Sequence, residues 1–345
     1  MTRSSLAALA VVALAARVRA GRIPKPYFNW DETKHLIAFG DSYSFVQGTA
    51  GYPEYSFIGN YLPDDFSFTP ETLLSNKIVQ NFTGTAEGGP NWVEYLTGCG
   101  LEPGVTSPQD CEMQLWDFAF AGADVSEEFL ALHHNFTTPL VNQTQQYLTW
   151  AEPVIGKKMD KSKALVAIWI GINDISDSAK FTNVTFAEFY DQLISTVFMQ
   201  SVQPLHDAGY SSFLFVNLPP LDRTAANVVA EEPLPSKAMI GLWDDALVRH
   251  SRGFAAENPA AKTMVYDANT FLNGVLDEPQ NYGITNTTAY CASYDDPEVQ
   301  TNPAKFDCLP LDQYFWYNSG HMTSHTHKVM APHMAKFLRE QSTRQ

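Results

Sequence analysis

The chain has 345 residues, 45% hydrophobic and 17% charged, which supplies apolar side chains for a large core and excludes a disordered tail protein. Lys and Arg number 22 against 38 Asp and Glu, a formal charge of −16. A nucleic-acid backbone or an anionic membrane surface would repel such a chain, and neither is expected as a partner.

Arg3 opens the chain with a positive charge, Leu6 to Ala16 is an unbroken apolar run, and Val18-Arg19-Ala20 offers small residues for cleavage. Residues 1–20 therefore read as a secretory signal peptide. The run is far shorter than the roughly twenty residues a spanning helix needs. A secreted, extracellular protein without a membrane span is expected. Removal of the signal deletes Arg3, Arg17 and Arg19 and no acid, so the mature chain is more acidic still.

The four cysteines fall as two sequence-local pairs, Cys99 with Cys111 and Cys291 with Cys308, as expected for loop staples made in an oxidising compartment; the other connectivities stay open. Glycosylation sequons begin at Asn81, Asn135, Asn142, Asn183 and Asn286. With a signal peptide present, N-glycans are expected at these sites, which places them at the surface.

No repeat, low-complexity tract or Gly/Ser/Pro linker divides residues 21–345, which read as a single domain. His35 to Phe39, Trp116 to Phe120, Leu165 to Ile170, Ser212 to Val216 and Met264 to Tyr266 are the predicted strands. They alternate with helical patterns, so the natural architecture is a parallel α/β sheet. After Thr185, which with Glu188 spells a capping box, Phe186, Phe189, Tyr190, Leu193, Ile194 and Val197 recur at helical spacing, predicting a helix that stops before Pro204. A second stripe, Met239, Leu242, Trp243, Ala246 and Leu247, follows Pro235 and Ser236. A third, Val329, Met330, Met334, Phe337 and Leu338, follows Thr323. All three read as core packing. Two long irregular stretches, 48 to 90 and 268 to 315, and the Pro-bearing stretch 219 to 235 are expected to wall a ligand site beyond the carboxyl ends of the strands.

Four short motifs carry chemistry. Gly40-Asp41-Ser42-Tyr43-Ser44 follows the first strand, where a tight turn can present a serine hydroxyl and its own N–H. Gly122, in Phe120-Ala121-Gly122-Ala123, ends the second strand and can offer a backbone N–H. In Gly171-Ile172-Asn173-Asp174, after the third strand, Asn173 brings an uncharged amide donor that can stabilise an alkoxide. In Trp316-Tyr317-Asn318-Ser319-Gly320-His321, a late loop histidine can fold back as general base. His321, His325 and His327, with His333 nearby, could be read as a metal cluster, but no acidic or cysteine ligand sits at a known metal spacing. His133-His134 reads as a solvated loop beside a sequon, and Asp41 and Asp174 as braces for turns. Trp92, Trp169 and Trp316 lie in or near motifs, and the sequence does not decide which of them stacks on a sugar.

In this order and spacing the four motifs resemble the GDSL or SGNH hydrolase superfamily. More narrowly, Gly-Asp-Ser-Tyr-Ser, Gly89-Pro90-Asn91-Trp92-Val93 and Asn217-Leu218-Pro219-Pro220-Leu221-Asp222-Arg223 look like the fungal acetylesterases of carbohydrate esterase family sixteen. The resemblance implies a flavodoxin-like three-layer α/β/α fold with a five-stranded parallel sheet and no cofactor or metal. It makes Ser42 the nucleophile and His321 the base, and it makes Ser42 N–H, Gly122 N–H and the Asn173 amide the oxyanion hole. The implied function is a serine esterase acting on acetylated carbohydrate, such as hemicellulose-derived xylo-oligosaccharides. The alternatives are a lipase or longer-chain carboxylesterase, and a non-catalytic glycan-binding protein on the same scaffold.

One departure stands out. Where the family's Asp-x-x-His places an aspartate, this chain has Asn318. An amide oxygen can still accept the His321 Nδ1–H bond, but it is neutral and supports an imidazolium less. In chymotrypsin-type proteases the same change costs about 10⁴ in turnover, chiefly through the wrong tautomer. A Ser42–His321 dyad is expected, its histidine oriented by a neutral group, by a backbone carbonyl near Trp316, or by a carboxylate such as Asp312.

Overall fold

A computed structural model describes residues 26–60 and 68–343. The expected signal peptide lies outside the described residues. Five strands form the central sheet: β1 (His35–Gly40), β2 (Gln114–Asp117), β3 (Ala164–Trp169), β4 (Ser212–Val216) and β5 (Lys262–Tyr266). All are parallel, in the order β2-β1-β3-β4-β5. Buried on both faces, β3 and β4 read as unbroken apolar runs rather than alternating ones, as interior parallel strands should.

Alternation along the strands sorts the side chains between two helical layers. Phe39 of β1 and Phe215 of β4, in register through Ile168 of the intervening β3, face one layer, where they meet Tyr147 and Phe198 respectively. Trp169 faces the other, against Trp92. The first layer holds α2 (Leu140–Gln146), α4 (Phe186–Thr196) and α5 (Lys237–Glu257); the second holds α1 (Trp92–Thr97) and α7 (Ser324–Gln341). This is the expected three-layer α/β/α arrangement. Between them in sequence, α3 (Ile172–Ser178) follows β3, and α6 (Ala268–Asp277) follows β5.

Several local expectations are corrected. The second strand occupies Gln114–Asp117, so Gly122 lies in a turn beyond it rather than at its end. Thr185 is the N-cap of α4, but its side chain makes no capping bond. That helix also does not stop before Pro204. It continues through a π-helical stretch, Val197–Val202, in which Gln203 N–H bonds the Phe198 carbonyl, into Gln203–Asp207. The wider turn absorbs the missing donor and the bulky ring of proline. Leu242 is 38% exposed, and Ile240 takes its place in the core. The stretch 268 to 315 is not wholly irregular, since it begins with α6. Both local disulfides are formed, Cys99–Cys111 and Cys291–Cys308. Of the sequon asparagines, Asn81, Asn135 and Asn183 are exposed and Asn142 and Asn286 half-buried. Among the described residues no helix is long and apolar enough to cross a membrane.

The carboxyl ends of β1 and β3 are held level by the register Gly40↔Trp169. A Cβ on Gly40 would lie 2.1 Å from the Trp169 carbonyl oxygen, so only glycine fits at the last position of β1. Behind it, the fully buried Gln143 of α2 accepts from Gly40 N–H at 3.0 Å and donates to the Gly40 and Thr138 carbonyls at 2.8 and 2.9 Å. Gln143→Ala strips these contacts from two buried peptides, at about 1–3 kcal/mol for each group left bare. The expected result is a lower denaturant midpoint with an unchanged slope. An unmoved midpoint would show that the Gly40 turn holds itself.

Candidate active site

Ser42 sits two residues past the end of β1, in the turn Asp41 begins. Asp41 accepts from Tyr43 N–H through its side chain at 3.0 Å and from the Ser44 and Phe45 N–H groups through its carbonyl. That network presents Ser42 Oγ at the carboxyl edge of the sheet, beside the point where the strand order reverses, the usual ligand position of doubly wound sheets. The histidine arrives from the far end of the chain. His321 Nε2 lies 2.7 Å from Ser42 Oγ across 279 residues of sequence.

Asn318 explains how a neutral residue orients that ring. Its Oδ1 accepts from Gly320 N–H at 3.0 Å and from His321 N–H at 2.8 Å, and it lies 3.0 Å from His321 Nδ1. Two backbone donors fix which end of the amide faces the imidazole, so the oxygen cannot be exchanged for the NH₂ group. Nδ1 must then carry the proton, and Nε2 presents its lone pair to Ser42. Neither Asp312 nor a carbonyl near Trp316 takes this place. Tyr43 supports the same loop, its hydroxyl donating to the Gly320 carbonyl and its ring 5.3 Å from that of His321.

On the other side of Ser42, α3 organises a donor cluster. Gly171 initiates the helix with φ +114°, and a Cβ there would lie 2.1 Å from the Trp243 ring. Asn173 Nδ2 donates one hydrogen to the Ala123 carbonyl at 2.9 Å and keeps a second. Asp174 accepts from Val125 N–H at 3.0 Å. These two bonds draw the turn holding Gly122 (φ +79°) against the N-terminus of α3. Among the described residues, the Ser42 and Gly122 N–H groups have no acceptor. The structure thus brings Ser42, Gly122, Asn173, Asn318 and His321 to one cavity.

Burial sets the electrostatics. It pushes Asp41 and Asp174 up to about 7 and Asp124, beside further carboxylates, to about 10. It pushes His321 down to about 4 and His327 to about 3. No carboxylate accompanies the His321 ring to offset the desolvation, because Asn318 is neutral.

Ser42, Asn173 and His321 line two adjoining cavities of 600 and 220 Å³. Tyr55 and Phe82 from the first irregular stretch and Tyr294 from the second wall the larger one; Leu221, Thr224 and Leu234 wall the smaller. Trp92, Trp169 and Trp316 are all fully buried and line neither. His133 and His134 lie exposed in a loop, as expected, but both also line the larger cavity, and the His133 side chain lies 3.3 Å from where a Gly122 Cβ would be. Contact with Asp177 at 2.6 Å raises the His133 pKa. His133, Asp177 and Asp124 have ligand atoms within 4.8 Å of one another, a spacing a small cation could bridge. His325 bonds the Tyr282 carbonyl, and the buried His327 accepts from Trp92 N–H. Sequence reasoning missed Gln143, Tyr43 and His327 as supports of the site. Tyr43 adjoins a motif, whereas the other two carry no local signal.

The pH dependence of this centre follows from the lowered His321 pKa. The ring stays neutral down to about pH 4, so the acid limb of kcat/KM is expected near that value rather than near 6.5. Asn318→Asp places a negative charge beside Nδ1, favours the imidazolium and should move the limb up by about 1–3 units. An identical profile for the two proteins would mean that this ring does not set the limb.

The family model described as GDSL-like Lipase/Acylhydrolase matches residues 36–334. An acetylesterase of Thermothelomyces thermophilus is 26% identical over 307 residues, covering 84% of this chain and 87% of that protein. An acetylesterase of Hypocrea jecorina is 24% identical over 356 residues, covering 91% and 89%. Among solved structures, an acetylxylan esterase from Geobacillus stearothermophilus aligns with 90% of this chain and 97% of its own, at 17% identity and a TM-score of 0.38. The chain belongs to the GDSL-like lipase/acylhydrolase family and is a carboxylic ester hydrolase.

Proposed function

We propose that the protein is a secreted serine acetylesterase that removes acetyl groups from carbohydrate hydroxyls, hemicellulose-derived xylo-oligosaccharides among them. Ser42 is the nucleophile, His321 the general base, and Asn318 the residue that positions it. The observation that carries this reading is the 2.7 Å approach of an imidazole of fixed tautomer to the serine hydroxyl. The two similar acetylesterases support the acyl group, and the Gly89-Pro90-Asn91 and Asn217-Leu218-Pro219-Pro220 segments support kinship with carbohydrate esterase family sixteen.

In the first half-reaction Ser42 Oγ attacks the ester carbonyl as its proton passes to His321 Nε2. The oxyanion is met by Ser42 N–H, Gly122 N–H and the second hydrogen of Asn173 Nδ2. Collapse expels the sugar alkoxide, which takes the proton from Nε2 and leaves acetyl-Ser42. Water then repeats the sequence, giving its proton to Nε2 and releasing acetate. Donors fixed by the fold need not reorganise as charge develops, and a neutral amide releases the carboxylate more easily than a cation would. Because Asn318 holds the correct tautomer, the loss seen on Asp→Asn replacement in serine proteases does not carry over. What the neutral amide omits is charge support for the imidazolium.

Ser42→Ala and His321→Ala are each expected to lower kcat by about 10³-fold or more, and Asn318→Ala by clearly less. Asn318→Ala as damaging as His321→Ala would make Asn318 a full third member. A fluorophosphonate should label Ser42, and absence of that adduct would favour a glycan-binding protein. Across p-nitrophenyl esters, a rate maximum at octanoate would favour the lipase reading. Acetate released from acetylated xylo-oligosaccharides by wild type and not by Ser42→Ala tests the substrate directly. For the secretion reading, expression in a secreting host should give a product trimmed near residue 20 that shifts in mass on endoglycosidase treatment.

A further inference from the structure

An ester presents two dissimilar halves that diverge from one carbonyl carbon, and the two cavities diverge from one reacting centre. The larger, 600 Å³, is lined by Glu54 and Asp295 carboxylates and by the aromatic phenols Tyr55 and Tyr294. Such walls accept hydrogen bonds from hydroxyls and stack on sugar faces.

The smaller cavity, 220 Å³, differs in chemistry. Its wall includes Ile172, Leu221, Ala226, Leu234 and Pro235. Its polar side chains outside the reacting centre are already engaged with the protein. Ser176 Oγ donates to the Ile172 carbonyl at 2.7 Å, and Thr224 Oγ1 accepts from Asn227 N–H at 3.3 Å. Asn227 donates to the Leu221 carbonyl at 2.6 Å and accepts from Leu234 N–H at 3.3 Å. The Tyr43 hydroxyl is bound to the Gly320 carbonyl. A sugar hydroxyl pushed into this lobe would lose its water and meet polar groups that already hold protein partners. An alkyl chain would lose nothing. The loop forming this wall also exposes Val229 (82%) and Leu234 (39%), on either side of the exposed Glu231 and Glu232.

We infer that the 220 Å³ lobe is the acyl pocket, the larger lobe holds the alcohol half, and the enzyme accepts straight acyl chains longer than acetyl. An apolar cavity of about 150 Å³ holds a six-carbon ring, so this lobe has room for butyryl and hexanoyl groups, of which acetyl fills a small part. The inference rests on Ser42 and His321 being the catalytic pair.

Hydrolysis of p-nitrophenyl acetate, butyrate and hexanoate by wild type, Ala226→Trp, Leu234→Ala and Tyr294→Ala tests it. Wild type should hydrolyse butyrate with kcat/KM within about tenfold of acetate, the scale of selectivity that a methylene or two can impose. Ala226→Trp, at an exposed position that tolerates bulk, fills the lobe and should lower the butyrate-to-acetate ratio about tenfold or more. Leu234→Ala opens the lobe and should raise the hexanoate-to-acetate ratio. Tyr294→Ala should leave both ratios where they were while raising KM for acetylated xylo-oligosaccharide. Ratios unmoved by either lobe variant, or moved by Tyr294→Ala instead, overturn the assignment, as does a wild type inert to butyrate. Ser42→Ala must be silent on every ester: activity surviving there removes the catalytic reading, whereas unmoved ratios with a silent Ser42→Ala remove this inference alone.

Discussion

The contact between His321 Nε2 and Ser42 Oγ closes a loop of 279 residues, and the architecture around it keeps that distance at 2.7 Å. One side is held by a strand end that admits only glycine, clamped from behind by Gln143. The other is held by a loop whose conformation Asn318 fixes with one oxygen and three donors. Tyr43 ties the two halves together, since it follows the serine in sequence and bonds the residue before the histidine in space. Positioning of this kind is where a serine hydrolase gains rate, because the reacting groups need no search in solution.

An amide at position 318, where the family pattern has a carboxylate, changes the charge balance beside the ring. An aspartate would raise the histidine pKa and steady the imidazolium. The amide holds the ring at 3.0 Å but leaves burial unopposed, so the imidazole stays unprotonated in more acidic surroundings. In the proposed mechanism the imidazolium then relies on the short-lived oxyanion for its counter-charge. Behind the opposite wall, Asp41 and Asp174 spend their carboxylates on backbone N–H groups, and burial raises both toward neutrality. They hold turns in place.

The cleft itself is walled mainly by long connecting segments rather than by the central sheet. Residues 48–90, 219–235 and 268–315 each contribute walls, while the turn after β1 presents Ser42 and the loop before α7 brings His321. Division of labour of this type lets loops alter the substrate while the strand ends keep the chemistry.

Much of this was legible in the sequence, because strands and stripes are local patterns. Runs of β-branched and aromatic residues located all five strands, and Ser42, Gly122, Asn173 and His321 stand in short motifs whose spacing is a property of the chain. Where the reading failed, the deciding interaction was non-local. Pro204 was read as a stop, yet the helix passes it by widening into a π turn. His133 lies in an exposed loop, and only the fold sets that loop against Gly122 at the edge of the cavity. Gln143 and His327 are polar residues on helices, with nothing nearby in sequence to mark them. The sequence by itself determined the fold class, the order of the chemical groups and the neutral residue at position 318, since these follow from residue identity and periodicity. Only the tertiary structure decided which atom of Asn318 faces the imidazole, which polar groups are already satisfied, and that one centre opens into two unlike cavities. Each of those depends on hydrogen bonds and walls contributed by residues far apart along the chain.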